Sequence, residues 1–249
     1  MYAIVSDLHS NIEALEAVMD DMAQFDVDSI YCLGDVIGYG PDPLPVLEIA
    51  KQFKFALMGN HEEGLLFFAE DFNPRARQAL EWTKSQITNG DISMEEKNDI
   101  WMRIDGMKKS QVTDHAQFVH GSLRQETRDY VMPADTEDIQ KMSEIWSLMD
   151  RNVCFFGHTH IPGVWTQSGS YIHPEDLDYE FNLPDEKVLI NVGSVGQPRD
   201  GDNRSSYVIV DGDHVQFRRV AYDFESTMKK IMQIDDLSNT LAARLKVGR

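Results

Sequence analysis

The sequence predicts an α/β fold, and three observations carry that prediction. Short runs rich in Val, Ile, Phe and Tyr recur at 2–6, 29–33, 53–57, 116–120, 152–156 and 188–192, as expected of strands buried on both faces. Amphipathic helical patterns separate the early runs, giving the order β-α-β-α-β. Polar residues able to bind metal close five of the runs, and the carboxyl ends of strands in open α/β sheets converge on one crevice.

In chain order, 11–24 reads as the clearest helix, with Ile12, Leu15, Val18, Met19 and Met22 on one stripe and a capping box in Ser10-Asn11-Ile12-Glu13. Pro43 and Pro45 suit the first turn of the next helix. Residues 62–112 break the rhythm with two or three polar amphipathic helices, one opened by Asn73-Pro74 and another by the capping box Ser93-Met94-Glu95-Glu96. This stretch reads as a helical insertion that covers one side of the core, closes over the site as a lid, or buries an apolar face against a twin subunit. A helix is expected over 134–150, strands at 163–167, 206–211 and 214–220, an exposed loop over 168–187, and a helical segment over 223–249 interrupted near Asp235-Asp236. No fixed-period repeat, low-complexity tract or Pro/Gly/Ser linker divides the chain, so residues 1–249 are expected to form one domain.

The 249 residues carry 23 Lys+Arg against 42 Asp+Glu, a formal net charge of −19. Such a charge repels phosphate backbones and anionic membranes, which argues against long nucleic acids and lipid surfaces as partners. It leaves room for a small anionic substrate, because bound divalent cations reverse the field inside one cleft. No run approaches the ~20 apolar residues of a membrane span, and the start of the chain lacks the basic-then-apolar pattern of a leader. Cys32 and Cys154 lie inside apolar runs, as free buried thiols of a reducing compartment do, and a cytoplasmic location is expected.

The five strand ends read Ser6-Asp7-Leu8-His9, Gly34-Asp35, Gly59-Asn60-His61-Glu62, His120-Gly121 and Gly157-His158-Thr159-His160, while His115, His173 and His214 fall outside them. Each alone also fits an ordinary strand end, turn or helix cap. Their conjunction points to one site with two carboxylates, one amide oxygen and four imidazoles as ligands, and His61 left over. That mixed N/O set suits Mn, Fe, Zn, Ni or Co better than Ca, and the missing thiolates argue against a structural zinc site. Seven ligands suit two ions that share a carboxylate, an arrangement that bridges a hydroxide and binds the oxygens of an in-line phosphoryl displacement. The glycines around residue 38 do not fit a dinucleotide fingerprint, no Gly-Lys-Ser/Thr cradle is present, and Gly193-Ser194-Val195-Gly196 lacks the spacing of a serine nucleophile elbow.

In this order the motifs resemble the calcineurin-like metallophosphoesterases, whose pattern runs D-x-H, G-D, G-N-H, a later H and G-H-x-H. The run Asn191-Val192-Gly193-Ser194-Val195-Gly196-Gln197-Pro198-Arg199-Asp200-Gly201 is similar to a segment of small bacterial and archaeal members. The resemblance implies a layered αββα sandwich and a dinuclear centre of two divalent transition-metal ions, Mn first among them. It implies that Asp7, His9 and His160 hold the first ion, that Asn60, His120 and His158 hold the second, and that Asp35 bridges them with a catalytic role. His61 would protonate the leaving group. Glu62 stands where many members carry Asp; it either orients His61 or is a surface acid at a helix start.

Asn11 is a candidate phosphate contact or a turn residue, and Arg199 a candidate clamp on a phosphoryl oxygen, with Arg204 read as a solvated surface residue. The expected activity is hydrolysis of a small phosphodiester. The rival readings are a phosphomonoesterase or protein phosphatase, and a non-catalytic metal-binding scaffold of the same fold.

Overall fold

The computed structural model describes residues 1–67, 69 and 72–249; Phe68, Glu70 and Asp71 of the expected insertion lie outside the described residues. The first half runs β1 (Tyr2–Val5), α1 (Ile12–Met22), β2 (Ser29–Cys32), α2 (Pro43–Ala50), β3 (Phe55–Ala56), α3 (Asn60–Leu66), α4 (Pro74–Asn89), α5 (Met94–Asp105), β4 (Ser110–Val112) and β5 (Gln117–Val119). The second runs α6 (Ile139–Ser147), β6 (Val153–Phe156), β7 (Gly163–Thr166), β8 (Tyr171–Ile172), β9 (Glu180–Asn182), β10 (Val188–Asn191), β11 (Ser205–Asp211), β12 (His214–Val220), α7 (Phe224–Met232) and α8 (Asn239–Val247).

Two six-stranded sheets result, ordered β3-β2-β1-β11-β12-β9 and β4-β5-β6-β10-β7-β8. β1, β2 and β3 pair in parallel, as do β5, β6 and β10, so the ends of these strands run to the same edge. Strand alternation explains the four layers. Ile4, Leu33, Phe118, Phe155, Ile190 and Val208 pack into one core joining the two sheets. Their neighbours Ala3, Val5, Cys32 and Ile209 face the other way, onto Leu15, Val18 and Val46 of α1 and α2. Cys154, Phe156 and Leu189 likewise face Met142, Ile145 and Trp146 of α6. Both sheets are therefore covered on both faces, which is why the strand sequences read as unbroken apolar runs.

Local chemistry sets the helix starts. Asn11, not Ser10, caps α1: its side chain accepts from Ala14 N at 3.2 Å, whereas Ser10 sits at φ 51° with its N–H on the Val36 carbonyl. Ser93 and Glu96 form the expected capping box on α5, and Asn73 caps α4. α4 packs against α2, α5 joins the same apolar cluster, and Ala79 and Trp82 of α4 meet Ile231, Leu241 and Leu245 of α7 and α8.

Three expected elements differ. The insertion does not stay helical to 112, because β4 pairs with β5. The segment 168–187 is not a plain loop: β8 pairs with β7, and β9 extends the first sheet beside β12. Strands of two or three half-exposed residues at a sheet edge bury too little to leave an apolar signature. The helix expected over 134–150 is a short 3-10 turn, Pro133–Glu137, followed by α6 from Ile139, with Asp138 as its cap.

Candidate metal centre

The strand ends β1, β2, β3, β5 and β6 converge, and the structure brings Asp7, His9, Asp35, Asn60, His61, His120, His158 and His160 together, all buried. The chain must turn sharply there. Asp7, His9, Asp35, His158 and His160 all have φ between 46° and 65°, a left-handed conformation costly for residues with a Cβ and concentrated at functional sites. Glycine makes the approach between neighbouring turns feasible: Gly34 has φ 114°, and a Cβ on it would meet Gly59 N at 2.6 Å.

Backbone groups orient every imidazole of the expected ligand set. Nδ1 of His9 donates to the Ile37 carbonyl at 3.1 Å and Nδ1 of His120 to Leu33 at 3.1 Å. Nδ1 of His160 donates to the Gln197 carbonyl, and Nε2 of His158 donates to Arg128 at 3.2 Å. A carbonyl only accepts, so each of these nitrogens carries the hydrogen, and in the neutral ring the opposite nitrogen presents a lone pair. Those lone pairs face one another: His9 Nε2 lies 3.2 Å from His160 Nε2, and His120 Nε2 lies 3.1 Å from both His158 Nδ1 and Asn60 Oδ1. Facing acceptors repel unless a cation stands among them.

The carboxylates complete the pattern. Asp7 Oδ2 accepts the His158 N–H at 3.0 Å, while Oδ1 accepts no hydrogen bond and faces His160 Nε2 at 3.1 Å. Asp35 Oδ1 accepts the His61 N–H at 2.9 Å, leaving Oδ2 at 3.4, 3.7 and 3.9 Å from Nε2 of His120, His9 and His61. Three groups of side chains, Asp7-His9-His160, His9-Asp35-His61 and Asp35-His120-His158, can each hold a metal ion. Hard and borderline donors converging in this way fit divalent metal ions.

The electrostatics agree with that reading. Burial pushes His9, His61, His158 and His160 below the ordinary imidazole value, His61 to about 4 and His158 to about 3. Burial opposes the charge on Asp7 and Asp35, but the surrounding imidazoles outweigh it and hold both carboxyls low. His120 differs: burial again disfavours its proton, yet the Asp35 carboxylate beside it, with Asp7 and Glu62 behind, raises it to about 9. Without an ion, the site thus favours neutral His9, His61, His158 and His160, ionised carboxylates and a proton on His120.

Glu62 is neither of the things its sequence position suggests. It is fully buried, and its carboxylate accepts the backbone N–H of Asp35 at 2.9 Å, Gly59 at 2.9 Å and Ile37 at 3.1 Å instead of meeting the His61 ring. Burial and the Asp35 charge push it up to about 7 against the pull of those N–H groups. His61 Nδ1 is buried without a hydrogen-bond partner, while its ring lies edge-on to Tyr39 and Phe72.

Asn11 lies beneath the site. Besides capping α1, its Oδ1 accepts from Thr227 Oγ1 at 3.0 Å, and its Nδ2 donates to Gly196 O at 2.8 Å. Arg199 stands at the site's margin, with its guanidinium 5.7 Å from the Tyr39 ring centre and its NH2 on Gln197 Oε1 at 2.8 Å. Its charge contributes to the low values of His160 and His61. Arg204 pairs with Asp202 near the surface.

Sequence reasoning missed several residues here. Arg244 of α8 reaches the same Gln197 oxygen at 3.5 Å, so two guanidiniums share one neutral acceptor. Glu63 holds Arg128, the residue whose carbonyl orients His158, through Arg128 Nε at 2.6 Å. Neither partnership leaves a local signal, since the contacts span tens of residues.

The sequence pattern of the calcineurin-like phosphoesterase superfamily domain matches residues 1–214. An uncharacterized protein of Methanocaldococcus jannaschii is 34% identical over 254 residues, covering 100% of this chain and 98% of its own. The crystal structure of a metallophosphoesterase from Sphaerobacter thermophilus superposes with a TM-score of 0.83 at 31% identity, over 100% of this chain and 98% of that one. A hypothetical protein from Pyrococcus horikoshii shares the fold, with a TM-score of 0.77 at 15% identity and the same coverage of 100% and 98%. A family pattern over most of the length and a similar metallophosphoesterase superposed end to end lead to one conclusion: the chain belongs to the calcineurin-like phosphoesterase superfamily and is a hydrolase of that family.

Proposed function

We propose that the protein is a dinuclear metal-dependent phosphoesterase acting on small phosphoesters, with phosphodiesters first. The observation that carries this reading is the inward convergence of lone pairs, each fixed by a backbone hydrogen bond on the far side of its ring. Asp7, His9 and His160 would hold one ion, Asn60, His120 and His158 the other, and Asp35 would serve both. When bound, two divalent ions supply a hydroxide nucleophile at neutral pH and neutralise the phosphoryl oxygens; Mn is the first candidate.

The protein's own residues supply the rest. His61 would donate a proton from Nε2 to the leaving oxygen; burial disfavours the charged ring, and the Asp35 carboxylate 3.9 Å away opposes burial and would steady that proton. Arg199, whose charge is felt at His160 and His61, would bind a phosphoryl oxygen not held elsewhere. A second reading, phosphomonoester hydrolysis, draws support from the pairing of Arg199 with Arg244, because a dianion asks for a second cation at the clamp.

The test strips the protein of metal, restores Mn, Ni, Zn or Mg singly, and compares a chromogenic phosphodiester with the matching monoester, using Asp35→Asn as control. Metal-dependent turnover that the control loses is the expected result, and the diester/monoester ratio separates the two readings. Two bound ions with no turnover on either ester would favour a metal-binding scaffold. Absence of bound ions would overturn the reading.

A further inference from the structure

Beside the candidate metal ligands lies a cavity of about 160 Å³ whose lining, among the described residues, includes Asn60, His158, Tyr39, Phe72, Arg128 and Tyr130. Three larger cavities, of 610 to 640 Å³, contain none of the expected ligands and lie apart from the site. The small one opens on it directly, since Asn60 and His158 belong to both.

Its walls are built of rings. Tyr130 packs on His158 in a tilted contact, with centroids 4.0 Å apart and planes 31° apart, yet 47% of Tyr130 is exposed. Phe72 meets His61 edge-on at 5.1 Å, and Tyr39 meets both His61 at 4.5 Å and His9 at 4.6 Å. Cations stand over two of these rings, Arg128 at 5.8 Å from Phe72 and Arg199 at 5.7 Å from Tyr39. The volume is close to that of an engineered interior cavity of ~150 Å³ that binds one benzene. Aromatic side chains stack on any flat ring with little regard to its hydrogen-bonding pattern.

We propose that this cavity receives a single flat ring, aryl or nucleobase, carried by one ester group of the substrate. The inference rests on the phosphoesterase reading, because only a phosphoryl group bound at the centre, beside Asn60 and His158, would place its ester substituent among Tyr39, Phe72 and Tyr130. Substrates with ring-bearing alcohols are then preferred to alkyl esters. Tyr130, exposed at the rim, sets much of that preference.

The experiment is calorimetric binding of methylphosphonate, phenylphosphonate and the phosphonate analogue of adenosine 5′-phosphate to the metal-loaded protein and to its Tyr130→Ala and Tyr130→Phe variants. About tenfold tighter binding of at least one ring-bearing phosphonate over the methyl compound is expected, as stacking on aromatic side chains supplies. The phenyl and adenosine arms tell an aryl ring from a nucleobase. Tyr130→Ala should bring the ratio toward one and Tyr130→Phe should restore it while methylphosphonate binding stays at the parent value in both variants, which a merely structural role for Tyr130 would not produce. Equal binding of all three by the parent protein, or an unchanged ratio in Tyr130→Ala, would overturn the proposal. Hydrolysis of bis(4-nitrophenyl) phosphate, followed in parallel, separates the two levels: turnover with no ring preference overturns the cavity assignment alone, whereas no turnover and no phosphonate binding overturns the phosphoesterase reading beneath it.

Discussion

Glu62 and His9 are tied through one residue: Ile37 gives its N–H to Glu62 Oε1 at 3.1 Å and takes the His9 Nδ1 hydrogen on its carbonyl at 3.1 Å. The same carboxylate collects the N–H of Asp35 and Gly59, so one buried side chain clamps two strand-end loops whose residues face the centre. Glu62→Ala strands three buried donors, each costing about 1–3 kcal/mol, and the metal-free protein should lose roughly 3–5 kcal/mol in urea unfolding. Glu62→Gln keeps one acceptor and should fall between variant and parent. Glu62→Asp keeps the charge on a shorter arm and should also be destabilised. A Glu62→Ala protein within about 0.5 kcal/mol of the parent would refute the clamp.

His61 carries a different expectation, because its side chain contributes no hydrogen bond that holds the fold and its Nδ1 is unpartnered. His61→Ala should lower turnover of an ester with a poor leaving group by about 10²–10⁴, the span of general acid catalysis. An activated 4-nitrophenyl ester needs little protonation and should lose much less. Two metal ions per chain should persist. A uniform loss across leaving groups would show that His61 holds metal, as its place in the Asp35-His9-His61 group allows, and does not act as the acid.

Asp35 is the residue whose loss should reach both ions. One oxygen is fixed by the His61 N–H and the other lies within 3.9 Å of Nε2 on His120, His9 and His61. Asp35→Asn places an amide among lone pairs and removes a charge that both sites would share. Elemental analysis after dialysis should find fewer than one ion per chain, with esterase activity down in proportion. A variant that keeps two ions and full activity would contradict the shared role.

Much of this centre was legible because each motif follows directly on an apolar run. A strand end is a local feature, so Asp7, Asp35, Asn60, His120 and His158 announced themselves one by one, and parallel pairing of the strands explains their meeting. The supports were not legible. The Arg128 carbonyl under His158 belongs to an aperiodic segment, and Arg244 reaches Gln197 across 47 positions. Ser10-x-x-Glu13 misled by one residue because the left-handed turn carrying His9 extends through Ser10 and hands the cap to Asn11. β8 and β9 escaped notice for the opposite reason, being edge strands that bury little.

The two arginines make a separable prediction. Arg199 and Arg244 share Gln197 Oε1, and no carboxylate pairs with either among the described residues. Removing either should therefore raise KM while metal stoichiometry holds. The loss should be about three- to tenfold per arginine for a diester, of the order of one charge-assisted hydrogen bond, and larger for a monoester dianion. If Arg244→Ala leaves KM unchanged for both ester classes, α8 plays no part in holding the substrate.

Away from the centre, Asp21 of α1 accepts a two-point contact from Arg218, Nε to Oδ2 at 3.0 Å and NH2 to Oδ1 at 2.8 Å, with the buried Tyr207 hydroxyl on Oδ2 at 2.7 Å. Burial resists ionisation of this carboxyl, but the Arg218 and Tyr207 hydrogen bonds outweigh it and hold the group below its ordinary value of 3.8. A carboxyl held low in the folded protein binds fewer protons there than in the unfolded chain, so its contribution is complete above the unfolded value near 4 and drains away as pH falls toward the depressed one. The pair is partly exposed, which limits it to about 1–2 kcal/mol at pH 7. Asp21→Asn should thus be less stable than the parent by about that amount at pH 7, and the gap should narrow steadily below pH 4. Urea unfolding of both proteins between pH 7 and pH 3 measures the difference directly, and a gap that stays constant across this range would show that charge is not what Asp21 contributes.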